Sequence, residues 1–268
     1  MFRSIAFGGG GMRGALHVGG LKALLRFQPT LEFPDGIYGY SIGSIVATAL
    51  AFRIPLDTIE RMIGQSMNLE AITGGIGLNN LFGVLSTCGL LSMDRVETTI
   101  IKAFLSAGVD LRGKVIADAP QKLFIGASNM TLRKPVFFTG QVPILAAIKA
   151  SSCIPIVFRP QVIYDNVYVD GGIHMFYFDE YLPADCLSFI VSYSPKSIRP
   201  HELEITELLK QLYTGQRRPP KSKSAIWFKE DKVHVVHDIT SDDKKRLLSS
   251  GYSQTFAFLT KLLAQKSA

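Results

Sequence analysis

Apolar residues follow two rhythms along this chain. Residues 3–7 and 36–40 read as strands, and the continuous apolar run at 187–191 fits a strand buried on both faces. Between them, apolar positions recur at helical spacing. Leu16, Leu21, Leu24 and Leu25 can share one face of a helix over 15–27, and residues 42–52, apolar all round, predict a buried helix. Pro55 opens a further helix with Leu56, Ile59, Met62 and Ile63 in one stripe. Ser92 is placed to cap a helix over 93–105, with Asp94 in its first turn. Strands are predicted at 122–127 and 135–138, and a short helix at 142–150. Residues 162–164 and 167–169 predict a strand pair turning at Asp165 and Asn166. A helix at 202–213, a strand at 232–236 and a closing helix at 241–264 complete the pattern. Strands alternating with helices predict an α/β layered fold, and no repeat or boundary divides the chain.

Composition narrows the class. Of 268 residues, 47% are hydrophobic, enough for a packed core, so disorder is not the main state. Lys and Arg exceed Asp and Glu by 29 to 22, for a net charge of +7, which favours anionic partners without choosing among them. No interleaving of aromatic and basic residues supports nucleic acid as that partner. Cys88, Cys153 and Cys186 are too few and too scattered for a disulfide framework, and no metal-ligand spacing appears, so neither metal nor cofactor is expected. Residues 71–93 carry no charge and would span a bilayer by length. Five glycines and the pair Asn79–Asn80 interrupt that stretch, and it is expected to be an apolar flap, to line an acyl pocket, touch bilayer or pack as core. The basic segment Arg217–Lys223 is expected to be a solvated loop, with contact to anionic lipid as the alternative. The amino terminus has no signal-peptide core, so a cytoplasmic or peripheral membrane location is expected.

Three short motifs carry candidate chemistry. Gly9, Gly10, Gly11, Met12, Arg13 and Gly14 lie between a predicted strand and a helix, where exposed backbone N–H groups and the helix terminus suit a phosphate or an oxyanion. The same spacing fits a dinucleotide fingerprint, with Glu32 or Asp35 as the ribose-binding acid. Gly39-Tyr40-Ser41-Ile42-Gly43 fits a nucleophile elbow, G-x-S-x-G, in the required strand-to-helix context; otherwise Ser41 simply caps the next helix. Asp170, at a strand end before Gly171 and Gly172, is either a carboxylate presented for chemistry or part of a plain turn. Together the glycine loop and the elbow predict two anion-handling turns at the carboxyl ends of neighbouring parallel strands. None of His17, His174, His201, His234 and His237 is placed by a motif as the base a serine needs.

In these motifs, their order and the stretch from Ala150 to Phe158, the sequence resembles the patatin-like phospholipase family over roughly residues 3 to 175. The family's leading Asp is replaced by Gly8. The resemblance implies a three-layer α/β fold, a mainly parallel central sheet with helices on both faces, in one catalytic domain whose part beyond about residue 195 is a variable extension. It implies a calcium-independent acyl hydrolase acting on phospholipid or other glycerolipid esters, with Ser41 as nucleophile and Asp170 as base. Residues 9–14 would form the oxyanion hole, with donors from Gly10, Gly11 and Met12. Three other readings stay open: an α/β-hydrolase triad of Ser41, Asp170 and His234 or His237, a nucleotide-binding protein, and a lipid-binding module without catalysis.

Overall fold

Strands β1 (Ser4–Phe7) and β2 (Gly36–Tyr40) are buried along their whole length and pair in parallel. They belong to a computed structural model that describes residues 1–66, 88–175, 178–191, 222, 224–230 and 240–267. With β4 (Leu123–Asn129), β9 (Leu187–Val191) and β10 (Ala225–Phe228) they form a parallel array in the order β10-β9-β1-β2-β4. β5 (Lys134–Phe138) and β8 (Asn166–Val169) each pair antiparallel with β4, and β7 (Gln161–Ile163) pairs antiparallel with β8. A separate parallel pair joins β3 (Gly89–Leu91) to β6 (Ile156–Phe158).

The registers on β4 fix the geometry that matters for function. β5 pairs with Ile125 through Asn129 along one edge of β4. β2, opposite Leu123 to Gly126, and β8, opposite Ser128 and Asn129, must therefore share the other edge. One strand is parallel to β4 and the other antiparallel, so they run toward each other and their ends meet beside Ala127.

Six helices are described: α1 (Ala15–Leu24), α2 (Ile42–Ala51), α3 (Leu56–Ser66), α4 (Asp94–Ser106), α5 (Ile144–Ser152) and α6 (Ser241–Ser267). Alternation along the strands sends Phe7, Ile37, Ile125 and Phe189 into one large core beneath the helices. The intervening Ala6, Tyr38 and Tyr40 face the opposite side, where Met175, Cys186, Leu182 and a 3-10 turn (Gly171–Ile173) pack against them. This is the three-layer α/β arrangement with a mainly parallel sheet that the resemblance implied.

Several expected boundaries move. The first helix stops at Leu24. The hairpin turns one residue early, at Tyr164 and Asp165, whose φ angles of 47° and 58° suit a two-residue primed turn, and Asn166 joins β8. The helix begins at Asp94 and its N-cap position is Met93, one residue later than expected; the Ser92 hydroxyl accepts the Asp94 N–H at 3.0 Å from just outside. Strands β3 and β6, three residues each, are too short to leave a periodic signal. Residues 71–87 of the uncharged stretch, the predicted helix at 202–213, the strand at 232–236 and the Arg217–Lys223 segment apart from Ser222 lie outside the described residues. Among the described residues no helix is long and apolar enough to cross a membrane.

Candidate active site

Ser41 closes β2 and opens α2 with φ 55° and ψ −133°, a conformation strained for any residue with a side chain. The close approach of three backbones forces it. A Cβ on Gly43 would lie 2.0 Å from the Phe7 carbonyl oxygen, and one on Gly39 would lie 2.3 Å from the Gly43 oxygen. The Ser41 hydroxyl makes no capping bond to α2. Ser44 braces the same turn, its N–H and hydroxyl donating to the Ser41 carbonyl at 2.9 and 2.7 Å. The reading of Ser41 as a plain cap is therefore removed.

Two neighbours hold the elbow from outside. The Ser41 N–H donates to both the hydroxyl and the carbonyl of Ser151, at 2.9 and 3.2 Å. The Ser151 hydroxyl in turn donates to Gly126 of β4 at 2.6 Å. Two residues on, the Cys153 carbonyl accepts the Asp170 N–H at 3.0 Å. The end of α5 thus fixes the backbones of Ser41 and Asp170 together. Sequence reasoning assigned no role to Ser151 or Cys153; the only signal was the 150–158 stretch in the family resemblance. The Cys153 thiol, pushed up to about 12 by burial and then by the Asp170 charge, stays protonated.

Asp170 ends β8 and meets Ser41 across Ala127. Its Oδ1 accepts the Gly172 N–H at 2.8 Å, while Oδ2 is buried without a hydrogen-bond partner. Burial raises its pKa from 3.8 to about 6, against the smaller opposing effects of the Gly172 amide and the nearby Ser41 side chain. Ser41 is close enough to act on the carboxyl, yet no hydrogen bond closes between them, the loose geometry usual before substrate arrives.

The glycine loop lies against this pair. A Cβ on Gly9 would sit 3.2 Å from the Ser41 Cβ and 2.6 Å from the Tyr40 ring. Gly11 has φ 56° and starts a 3-10 turn through Met12 to Arg13, and Gly14 leads into α1. Two carbonyls of the loop are held by side chains from its carboxyl side. His17 Nε2–H donates to the Gly8 oxygen at 2.9 Å, and buried Arg13 donates its Nε–H to the Gly10 oxygen at 3.3 Å. In a trans peptide the C=O and the following N–H point in opposite directions. Anchoring Gly8 and Gly10 therefore turns the N–H groups of Gly9 and Gly11 away from those side chains. Among the described residues, no acceptor meets the N–H groups of Gly9, Gly10, Gly11 or Met12. Burial drives the His17 pKa down to about 4, so the ring is neutral; with Nε2 on a carbonyl and Nδ1 buried, it is no base for Ser41. Nothing local in the sequence marks His17 as serving the loop.

Other candidates fall elsewhere. Asp35 and Glu32, the acids a dinucleotide would need, precede β2 at its amino end, while the glycine loop leaves the carboxyl end of β1. They pair with Arg3 and Arg53, which removes the dinucleotide reading. His201, His234 and His237 lie outside the described residues. Among the described residues no three His, Cys, Asp or Glu side chains gather as a metal site.

The family model for patatin-like phospholipase matches residues 5–178. A probable lipid hydrolase of Invertebrate iridescent virus 6 is 25% identical over 182 residues, covering 64% of this chain and 60% of the relative. An uncharacterized NTE family protein of Mycobacterium tuberculosis is 29% identical over 171 residues, 63% of this chain and 42% of the relative. The chain thus spans about three-fifths or less of the length of these curated relatives. Among solved structures, VipD from Legionella pneumophila superposes with a TM-score of 0.55 at 14% identity, covering 97% of this chain and 67% of that one, a likeness of fold.

Proposed function

The chain belongs to the patatin-like phospholipase family, and from that premise we propose that it is a calcium-independent lipid acyl hydrolase working through a Ser41–Asp170 dyad. The observation that carries the reading is the meeting of a hydroxyl spared from capping with a buried carboxyl whose Oδ2 has no other partner. In the reaction, Ser41 Oγ attacks the ester carbonyl carbon and Asp170 Oδ2 takes the hydroxyl proton. The tetrahedral oxyanion is stabilised by backbone N–H groups of the 9–14 loop, those of Gly9, Gly10, Gly11 and Met12 being without acceptors among the described residues. This adds Gly9 to the donors expected from sequence, Gly10, Gly11 and Met12. Collapse breaks the ester C–O bond, and the departing alcohol takes the proton from Asp170. Water then attacks the acyl-serine, again giving its proton to Asp170, and the fatty acid leaves with Ser41 restored.

A carboxyl near 6 suits this work: largely ionised at neutral pH, yet a stronger base than an exposed aspartate. The substrate class, glycerolipid esters, comes from the family and from the viral relative described as a probable lipid hydrolase. The test is labelling by a fluorophosphonate probe alongside hydrolysis of a short soluble ester. Ser41→Ala should abolish labelling and lower hydrolysis by at least about 10^3-fold, the scale of losing a catalytic nucleophile. Retained labelling in Ser41→Ala sinks the assignment.

A further inference from the structure

The hairpin of β7 and β8 continues past the catalytic level, and what it carries there is apolar. Ser41 and Asp170 both follow strand residues that flank Ala127 of β4. Three residues further, about 10 Å at the usual rise per residue, Met130 donates its N–H to the Val167 carbonyl, and Val167 pairs with Val162. Cross-strand partners share a face, so Val162, Val167 and Met130 form one row. On the other face Ile163 and Tyr168 are buried, with α5 against these strands. Beyond the row stand the turn residues Leu132 and Tyr164, which are 54% and 68% exposed, and Val162 in the row is 69% exposed. The Thr131 hydroxyl accepts the Val167 N–H at 3.0 Å, joining both turns into a single tip.

Scattered surface apolar residues are ordinary, but five exposed ones gathered on one tip are not. The charges around them are chiefly basic: exposed Arg133 in the turn and exposed Lys134 opening β5, against Asp165. We infer that this tip seats the protein on an anionic lipid bilayer, its apolar row and Tyr164 entering the headgroup region while the basic rim meets lipid phosphates. The inference rests on the lipid-ester reading above, because an insoluble substrate is what makes an apolar tip on the catalytic end useful. The basic rim decides for an anionic bilayer over a second copy of this net-positive chain.

The test is flotation of the full chain with vesicles of phosphatidylcholine, alone or mixed with phosphatidylglycerol, alongside hydrolysis of soluble p-nitrophenyl butyrate. Wild type should float with the mixed vesicles and progressively lose them as salt is added. Leu132→Ser combined with Tyr164→Asn, a residue suited to the positive φ of the turn, should partition at least about tenfold less, as expected for withdrawing two apolar side chains from lipid. Its rate on the soluble ester should be unchanged. Arg133→Gln with Lys134→Gln should lose the preference for phosphatidylglycerol. If the first double variant melts early, Tyr164→Asn alone carries the same comparison. Flotation equal to wild type overturns the inference, and so does a wild-type dimer that the variant dissociates while flotation stays the same. If wild type fails to hydrolyse the soluble ester while the tip still governs flotation, the docking surface stands and the dyad falls.

Discussion

Asp170→Asn should make the protein more stable and catalytically dead. The carboxyl is buried, and its pKa lies near 6 instead of 3.8 chiefly because burial disfavours the charge. At about 1.4 kcal/mol per pH unit, keeping it ionised in the fold costs about 3 kcal/mol at neutral pH. The sign follows from proton binding. Between pH 3.8 and about 6 the folded state holds more protons at this site than the unfolded chain, so stability falls as pH rises through that window and is level above it. Asparagine keeps the oxygen that accepts the Gly172 N–H and carries no charge at any pH. Its NH2 takes the place of Oδ2, beside the Ser41 side chain that can accept from it. The full gain is therefore a ceiling of about 3 kcal/mol, or roughly 6–12 °C in Tm for a chain of this size. The measurement is urea or thermal unfolding of both proteins from pH 4 to 8, paired with ester hydrolysis. Wild type and variant should converge near pH 4 and separate as pH rises to about 7, while the variant shows no turnover. A gap that does not change with pH, or a variant less stable at pH 7, would refute the argument that this carboxyl is held against its hydration.

Three further outcomes follow from the same site. The kcat/KM of wild type should rise with unit slope below about pH 6 and level off above it, because Asp170 must be ionised to take the Ser41 proton; a profile flat down to pH 4.5 would exclude that carboxyl as the base. His17→Ala leaves the buried Gly8 carbonyl without its donor and frees the Gly8–Gly9 peptide to rotate, so kcat should fall by about 10²-fold, near the value of one oxyanion donor, with KM little changed. His17→Gln, which can still donate to that oxygen, should recover part of the loss. Gly9→Ala places a methyl 2.6 Å from the Tyr40 ring and 3.2 Å from the Ser41 Cβ, so steady-state kinetics should show hydrolysis lost while thermal unfolding stays cooperative.

The sequence was most legible where a residue's type forces its geometry. The elbow could be read because glycines at 39 and 43 are needed where three backbones meet, and the strand at 187–191 because double-sided burial favours a continuous apolar run. The Ser41–Asp170 meeting could be expected from the family pattern but not from spacing, since it depends on β2 and β8 sharing one edge of β4. His17 lies on a helix where nothing local distinguishes it from a core histidine, and its meaning comes from the Gly8 carbonyl across the turn. The apolar tip was missed for a related reason: Val162 and Val167 alternate with buried neighbours as any half-buried strand does, and only the fold shows that their outer face is bare. The basic segment at 217–223 stands out in sequence by its charge density, while the tip's charges are spread over two turns.

The head-on encounter of β2 and β8 ties the catalytic power of this protein to a small docking event. Asp170 rides on a hairpin that pairs with β4 at Ser128 and Asn129 and is tethered further by the Cys153 and Val167 carbonyls. The serine elbow, by contrast, is rooted in the centre of the parallel array. Undocking the hairpin would part acid from alcohol and leave that array intact, a folded but silent molecule. Heat or a proteolytic nick between β7 and β8 would then quench turnover before it melts the domain, and the weight of a membrane on the hairpin's own tip would act on the same latch.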